Sequence, residues 1–337
     1  MRIYKFTVLL ACLWCSSALT AQRYSVKERI PFSGDQTYWD YLLADSPNRH
    51  LYVTRENKVL VLDLSSLKEV ATISGLKRVH GIALANDLGK GFLTDGGDNV
   101  VVVFDLKSNA VRQKIKVGNA PDAVLYEPTK KRTYAFNAHS HNMSVIDAET
   151  EKIVATVTLS GIPEFAATDG KGNVYVNIET NNSLVRFAPD GLSVRDEWPL
   201  ASCKEPAGLA IDTQGRRLFS VCANKVMIVT DADTGKQIAQ VSVGVEPDAA
   251  IYDVDRRLVF SSNCDGTLTV VKQESPDKYT VVQNLLTQRE ARTMALDSVS
   301  HKLYLPYEEV IPGQKPTPPG DLPEFTPGTF HLIVVSP

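Results

Sequence analysis

The chain has 337 residues, with 36 Lys and Arg against 39 Asp and Glu, a formal net charge of −3 and 43% hydrophobic residues. This length supports a large self-sufficient core and excludes a miniprotein held together by disulfides. A mildly acidic chain without a basic run also argues against a partner with a phosphate backbone, so we expect no nucleic-acid ligand.

Residues 1–21 have the pattern of a cleaved signal peptide. Arg2 and Lys5 form a basic start, an apolar run follows, and small residues close the segment. The run is too short to anchor the chain in a bilayer. A lipoprotein-like box ends at Cys12, but the apolar run before it is very short, so we expect no lipid anchor. We therefore expect residues 22–337 to be one periplasmic or secreted domain, a monomer without a transmembrane segment.

Short β-rich runs divided by Gly, Pro, Asn, Asp and Ser follow one plan along the rest of the chain. No window shows the 3.6-residue spacing of a helix over a useful length. The first unit contains the runs Tyr41–Asp45, Leu51–Thr54, Lys58–Asp63 and Glu69–Gly75. The second unit extends from Val79 to Gly118, and later units contain Arg132–Phe136, Asn173–Asn177, Arg217–Val221, Leu258–Ser261 and Lys302–Leu305.

A repeated motif divides the chain into seven such units. Val243–Asp253 has a near copy in Val117–Glu127, with a Gly turn, a Pro-Asp start and a small apolar strand closed by an acid. The seventh unit lacks a fourth strand, which Tyr24–Gly34 would supply beside Phe330–Val335. The sequence therefore predicts an all-β, seven-bladed β-propeller of four-stranded blades, closed by the N-terminal strand. A large β-sandwich, the alternative, does not predict the regular period.

These repeats also resemble a known family. Leu51–Asp63 and Val174–Asn177 are similar to the repeat of the YVTN-type β-propellers. The Pro-Asp-Ala starts and the turns Asp147–Lys152 and Asp231–Lys236 resemble the YncE-like group within that family. The resemblance extends over residues 22–337 and implies the propeller fold. It implies no activity, because propellers carry many unrelated ones.

One position in every unit points to a site on the propeller axis. The first strand of a blade lines the central channel, and counting back five residues from each strand end gives a ring with steps of 40 to 44 residues. The ring consists of Asp40, His80, Asp122, Glu164, Ala207, Asp248 and Arg292. Its ionisable members predict a site for a polar ligand or a divalent cation, Ca or Zn, with Glu164, Asp248, Asp122 and His80 as ligands. The alternative is that the acids cap turns and the channel holds water.

The loops between second and third strands open on the same face as the ring. They contain Arg55, Asp95, His139, His141, Asn177, Glu179, Cys222, Asn263 and Asp265. Of these, His139, His141, Asn177 and Asn263 are secondary ligand candidates. The His139-Ser-His141 pair could bind a metal through both rings, or it could be solvated.

Three cysteines follow the leader: Cys203, Cys222 and Cys264. Export to an oxidising compartment favours a disulfide between Cys203 and Cys222. Cys264 would then be a spare thiol or an alternative partner. The other interpretation is three small buried residues.

A Pro-rich segment, residues 311–328, interrupts the seventh unit between its second and third strands. Its proline content favours an extended, semi-rigid backbone. A lid or partner-docking role and a tolerated surface insertion both fit this pattern.

Common catalytic motifs are missing from the sequence, including HExxH, the phosphate loop, GxSxG and the dinucleotide fingerprint. We therefore expect an exported, non-catalytic propeller that binds a small molecule or a protein around its channel. The alternative is a metal-dependent hydrolase or lyase, in which Glu164, Asn177 and Asp248 imitate the metal ligands of lactonase-type propellers. A structural envelope protein is a third interpretation.

Overall fold

The computed structural model describes residues 23–34, 38–314 and 322–337. The expected signal peptide and the middle of the Pro-rich segment lie outside the described residues. Within the described part, one 3-10 turn at Asn86–Leu88 accompanies strands that form seven four-stranded antiparallel sheets. The same part of the chain contains no helix with the length and apolar character needed to cross a bilayer. The predicted seven-bladed β-propeller is confirmed.

Blades one to four each use four consecutive strands, from the channel outward. They are β2 (Leu42–Asp45), β3 (His50–Arg55), β4 (Lys58–Asp63), β5 (Glu69–Ile73); β6 (Val79–Ala85), β7 (Lys90–Asp95), β8 (Val100–Asp105), β9 (Val111–Lys116); β10 (Pro121–Glu127), β11 (Arg132–Asn137), β12 (Asn142–Asp147), β13 (Lys152–Thr158); and β14 (Pro163–Thr168), β15 (Val174–Ile178), β16 (Ser183–Phe187), β17 (Val194–Pro199).

Blades five and six follow the same plan, and blade seven joins both ends of the chain. The strands are β18 (Pro206–Asp212), β19 (Arg217–Cys222), β20 (Val226–Asp231), β21 (Gln237–Ser242); β22 (Pro247–Asp253), β23 (Leu258–Asn263), β24 (Thr267–Ser275), β25 (Lys278–Leu286); and β26 (Ala295–Asp297), β27 (Lys302–Tyr307), β28 (His331–Ser336), with β1 (Ser25–Pro31) as the outer strand of blade seven.

The propeller closes through the antiparallel pairing of β1 with β28. Register runs from Ser25 opposite Ser336 to Pro31 opposite His331, with one irregularity near Val26. The strand that follows the expected leader thus completes the last blade, as predicted. This pairing covers the β28 edge that the seventh blade would otherwise leave open.

Burial explains why the middle strands are so apolar. Blades pack face to face, so a middle strand such as β8 is buried on both sides and reads Val-Val-Val-Val-Phe. Outer strands lie at the rim, and β9 buries only Ile115 among its six residues. A strand buried on both faces requires a continuous apolar run, whereas a rim strand does not.

Aspartates shape the predicted turns between third and fourth strands. Asp147 Oδ1 accepts hydrogen bonds from the backbone N–H and hydroxyl of Thr150, at 2.7 and 2.8 Å. Asp231 Oδ1 accepts the same pair from Thr234. The hydrogen bonds hold the pKa of Asp147 below its ordinary value. These contacts confirm the turn interpretation.

The structure adds one strand that the sequence analysis does not identify. β17, the rim strand of blade four, reads Val-Arg-Asp-Glu-Trp-Pro and is largely exposed. Its polar sequence gives no β signal because a rim position imposes no apolar requirement. The innermost strands of blades one and seven also begin later than expected, at Leu42 and Ala295.

Cys203 and Cys222 form a disulfide, with Cα atoms 5.4 Å apart and a separation of 19 positions in the chain. Both residues are buried. This is the pair that the sequence analysis favours. Cys264 is a free, half-buried thiol. The bridge ties the loop ahead of β18 to the end of β19, so it fixes one side of the ring-bearing face.

Tyr24 fastens the N-terminal segment to the neighbouring sixth blade. Its N–H donates to Gln283 Oε1 at 3.0 Å, and Gln283 Nε2 donates to its carbonyl oxygen at 2.7 Å. Its ring meets Phe260 edge-on, with centroids 5.0 Å apart. Tyr24 is 2% exposed. The contact therefore holds the closing strand to two blades at once.

We expect Tyr24→Ala to lower the free energy of unfolding by about 3 kcal/mol, because it removes a buried ring that packs against Phe260. Chemical denaturation measures the change. Tyr24→Phe is the matched control: the hydroxyl is buried without a hydrogen-bond partner in the described chain, so its removal should cost nothing or stabilise. Equal losses in both variants would contradict the packing role.

Replacing Cys203 and Cys222 together by Ala should lower the free energy of unfolding by about 3 kcal/mol, since the bridge closes a loop of intermediate length. Cys264→Ala removes a thiol without a crosslink and serves as control. Denaturation of the three proteins under oxidising conditions measures the difference. Three titratable thiols in the non-reduced, unfolded wild-type domain would contradict the disulfide.

Candidate functional site

Six ionisable side chains predicted to share one ring do lie where the inner strands begin. They are Asp40, His80, Asp122, Glu164, Asp248 and Arg292. In five blades the strand pairing departs from regular register at this position, for example between Pro121 and Val124. Bulges of this kind re-aim side chains beside functional sites. The irregularity is not visible in the sequence, and it coincides with the ring positions of these five blades.

Three ring residues from blades one to three form a contact cluster. His80 Nδ1 lies 2.7 Å from Asp40 Oδ2 and 3.4 Å from Asp122 Oδ1. The Tyr38 hydroxyl donates to Asp40 Oδ2 at 3.0 Å and lies 2.9 Å from His80 Nδ1. The three residues are about 40 positions apart in sequence, so the cluster exists only because the propeller gathers them.

Burial and charge act against each other in this cluster. Burial lowers the pKa of His80, but the charges of Asp122 and Asp40 outweigh it and raise that pKa above its ordinary value. Burial raises the pKa of Asp40, yet its hydrogen bond to His80 and the charge of Arg292 hold it below the usual range. Burial raises the pKa of Asp122. These shifts favour the charged forms of His80 and Asp40 and disfavour the ionised form of Asp122, each relative to the same group in water.

The other half of the ring is dominated by acids. Arg292 Nε lies 3.0 Å from Asp248 Oδ2, and its Nη2 donates to the Trp39 carbonyl at 3.1 Å. Burial outweighs this guanidinium and raises the pKa of Asp248 to about 7. Burial and neighbouring carboxylates raise the pKa of Glu164 well above its ordinary value, and no cationic side chain of the described residues pairs with it. The mouth therefore favours an added positive charge.

Two aromatic rings from opposite sides of the propeller meet across the channel. Tyr41 and Phe165 stack with centroids 4.5 Å apart, and the Tyr41 hydroxyl donates to the Asp248 carbonyl at 3.4 Å. A separate apolar cavity of about 280 Å³ lies against them, lined by Leu42, Ala249, Ile251, Met294 and Leu296. The stacked pair thus separates a polar mouth from an apolar lower channel.

A wider cavity opens beside the His80 cluster. Its volume is about 600 Å³, which is within the range of small-molecule sites. Its wall contains Arg78, His80, Asn99, Asn119, Asp122 and His139. His139, a secondary candidate, therefore shares a cavity with two ring residues. His141 lies in the turn beyond, with a left-handed backbone at φ 46°.

Asn177, a further secondary candidate, has a structural role in the described geometry. Its amide Nδ2 donates to the Ala207 carbonyl at 2.9 Å and the Gly208 carbonyl at 3.2 Å. Its Oδ1 accepts from the Ser220 hydroxyl at 2.8 Å, and the side chain is fully buried. The Asn177 amide therefore joins two blades, and the metal role suggested for Glu164, Asn177 and Asp248 stays a prediction.

Asn263 also has a structural role, because its side chain is hydrogen-bonded within the protein. Its Nδ2 donates to the Thr267 carbonyl at 2.9 Å, its Oδ1 accepts from the Ser261 hydroxyl at 2.9 Å, and it is fully buried. The remaining loop residues also include turn caps: Asp95 accepts the N–H groups of Lys77 and Arg78 at 3.0 Å. In the described structure, Asn263 and Asp95 therefore bind groups of the protein itself.

The sequence analysis missed the aromatic residues that flank Asp40. Tyr38 contacts the His80 cluster. Trp39 is 1% exposed, and its carbonyl accepts a hydrogen bond from Arg292. The ring of Tyr41 stacks on Phe165 across the channel. The stretch Tyr-Trp-Asp-Tyr was a signal, because three aromatic residues surround a ring position there.

The ring carbonyls are also tied to their neighbours by short hydroxyl side chains. Thr293 Oγ1 donates to the Asp40 carbonyl at 2.8 Å, and Thr94 Oγ1 donates to the Asp122 carbonyl. Ser262 donates to the Arg292 carbonyl in the same way. These hydrogen bonds cross from one blade to the next and hold the ring rigid.

The described ends of the Pro-rich segment pack beside the mouth. Phe325 meets Trp39 with ring centroids 4.6 Å apart, and Val310 bridges Phe325. Just before the segment, Glu308 lies 3.3 Å from Arg55, and both side chains are buried. Residues 315–321 lie outside the described part. The described ends of the Pro-rich segment therefore lie on the ring-bearing face.

Comparison with known proteins gives a family match and a set of uncharacterised relatives. Residues 46–254 match the model of a domain of unknown function, DUF5074. Two curated relatives, both described as the uncharacterized protein YncE, are from Salmonella typhi and Salmonella typhimurium. They are 29% and 28% identical over 149 residues. The alignments span 42% of this chain and 42% of each relative.

Solved structures share the fold at low sequence identity. A chain of hydrazine synthase from Kuenenia stuttgartiensis is 14% identical, with a TM-score of 0.69, and the match covers 81% of this chain and 94% of that one. U3-55K gives a TM-score of 0.76 at 9% identity, over 90% and 98%. The RRP9 WD40 repeats give 0.77 at 8%, over 93% and 100%. These similarities establish the fold alone.

Asp248 should make stability fall between about pH 4 and pH 7. Its pKa in the folded protein is about 7 against an ordinary 3.8, so the folded state keeps a proton that the unfolded chain loses. The stabilising contribution of this proton to the free energy of unfolding is complete below about pH 4 and is lost as the pH rises through about 7. Asp248→Asn should flatten this part of the stability curve, which denaturation at a series of pH values measures.

Asp297→Asn is the control for this experiment. Burial raises the pKa of Asp297, but hydrogen bonds from Ser300 and Arg49 outweigh it and hold the pKa at about 2. Its stabilising contribution is present above pH 4 and is lost on acidification. The control should therefore change only the acid limb. An unaltered slope between pH 4 and 7 in Asp248→Asn would contradict the assignment.

Proposed function

The chain belongs to the DUF5074 family of YncE-like β-propellers, and on that premise we propose that it is an exported, non-catalytic propeller that binds a small cationic ligand. The ligand binds at the channel mouth, on the face that carries the ring. One observation carries the proposal: four carboxyl groups of the ring, from four blades, lie around one opening, whereas Arg292 and His80 are the basic members of the ring and Arg78 and His139 line the adjoining cavity.

The electrostatics of the mouth select the sign of the ligand charge. Burial raises the pKa of Asp122, Glu164 and Asp248, so these groups are ionised at a cost in the empty protein. A bound cation lowers that cost because it restores the interaction that water would have given. An anionic ligand would add to the repulsion instead.

The size and shape of the opening favour a small molecule. The cavity of about 600 Å³ beside His80 and Asp122 accommodates one. The stacked rings of Tyr41 and Phe165 lie across the channel, and we therefore place ligand entry and exit at the mouth. A protein partner is the alternative occupant, and it would reach the ring by inserting a basic side chain.

Export is part of the proposal. Residues 1–21 have the composition of a signal peptide, and the Cys203–Cys222 disulfide fits an oxidising compartment. We propose a periplasmic or secreted location for the mature domain, without a lipid anchor.

The test is a thermal-shift screen of residues 22–337 with putrescine, choline, calcium, zinc, acetate and phosphate. We expect at least one cation, and neither anion, to stabilise the domain; a ligand at 100 times its Kd contributes about 2.7 kcal/mol. Glu164→Gln combined with Asp122→Asn should abolish the shift. Glu274→Gln, exposed near the end of β24 in blade six, is the matched control and should retain it.

Two outcomes would contradict the proposal. One is stabilisation by the anions and by none of the cations. The other is an equal shift in the wild type and in the double variant, which would place the bound cation away from the ring.

A further inference from the structure

We propose that Asp40, His80 and Asp122 form a binding site for one divalent transition-metal ion of the zinc type, with an open coordination position that faces the cavity beside them. This inference rests on the proposed function and names the cation for one half of the ring. It concerns only these three residues.

The first support is the donor geometry. One ligand atom from each of Asp40, His80 and Asp122 lies within 4.8 Å of the other two. Tetrahedral zinc with bonds of about 2.0 to 2.1 Å separates neighbouring ligand atoms by about 3.4 Å. The His80–Asp122 distance is already 3.4 Å. The His80–Asp40 distance, 2.7 Å, is that of a hydrogen bond and needs to open by only several tenths of an ångström.

The donor types select the metal. One imidazole nitrogen with two carboxylates is a set that zinc and similar ions accept, whereas calcium requires six to eight oxygen ligands. Three protein ligands also leave one position of a tetrahedron unfilled. His80 and Asp122 both line the cavity of about 600 Å³, so water or a donor group of the ligand can occupy that position.

The surroundings hold the three ligands in place. Tyr38 donates its hydroxyl to Asp40 Oδ2, an arrangement typical of the outer partners of metal-bound carboxylates. Gly96 allows the His80 ring its position, since a Cβ there would approach His80 Nε2 to 2.9 Å. The hydroxyl of Thr293 donates to the Asp40 carbonyl and that of Thr94 to the Asp122 carbonyl, and these hydrogen bonds hold the backbone of both ligands. Such support distinguishes a built site from a chance grouping.

A second grouping of metal-ligand types provides an internal control. Asp253, Asp255 and His301 also approach one another closely, at the opposite ends of the inner strands. There Asp253 Oδ1 accepts the backbone N–H groups of Asp255 and Arg256, both at 3.1 Å, so it caps a turn. We assign no ion to this group.

The experiment uses the mature domain without a polyhistidine tag. Isothermal titration with zinc chloride should give one site in the wild type. His80→Ala and Asp122→Asn should each weaken zinc binding more than about 100-fold, since a loss of an outer partner alone costs 10 to 100-fold. Tyr38→Phe should fall in that lower range, and His301→Ala should bind as the wild type does. Circular dichroism checks that each variant is folded.

Cobalt(II) supplies an independent readout of geometry. Intense visible absorption bands on titration would indicate the expected four-coordinate site, and their loss in Asp122→Asn would assign it to the cluster. The inference is overturned if the wild type binds no zinc, if His80→Ala retains stoichiometric zinc, or if His301→Ala loses it. Stabilisation by putrescine or choline in the absence of zinc binding would leave the proposed function standing while this inference fails.

Discussion

The pairing of β1 with β28 is the contact on which the rest of the structure depends. Seven sheets can enclose an axis only if the last blade meets the first, and here the closing blade takes one strand from the beginning of the chain and three from its end. Once the circle is closed, the start of every inner strand faces the same axis. Residues roughly 40 positions apart thereby become neighbours, and a site can be built from single residues contributed by separate repeats.

The closed circle also permits an unfavourable arrangement of charge. Asp122, Glu164 and Asp248 lie together where burial raises the pKa of each. A small or loosely packed domain would relax such repulsion by moving the strands apart. Here the middle strands are buried on both faces, and the packing of neighbouring blades resists that movement. Conflicts of this kind are expected at functional sites, where surrounding stability offsets local cost.

The fold could be predicted from the sequence because it is repeated. Spacing alone identified ring positions in six blades as ionisable residues, and it located Asp40 and His80 forty residues apart as partners on one ring. The disulfide was predicted on different grounds, because export to an oxidising compartment favours a bridge between Cys203 and Cys222. Periodicity averages over seven copies, so a weak local signal becomes a strong one.

What could not be predicted depends on contacts between non-equivalent residues. The bulges that aim Asp122 toward its neighbours depend on strand register, which no residue type marks. Asn177 resembles a metal ligand in the sequence because its amide suits a metal. Only the structure shows that this amide donates instead to the carbonyls of Ala207 and Gly208. Tyr41 follows a ring position just as Phe165 follows Glu164, but the other repeats carry small residues or Thr there, so the period alone did not single out the aromatic pair.

The stack of Tyr41 on Phe165 makes the two faces of this disc unequal. With the stacked pair across the channel, a ligand held at the ring as proposed would exchange through the ring-bearing face. A macromolecule docked over that face would slow the release of such a ligand, whereas one docked on the reverse face would not.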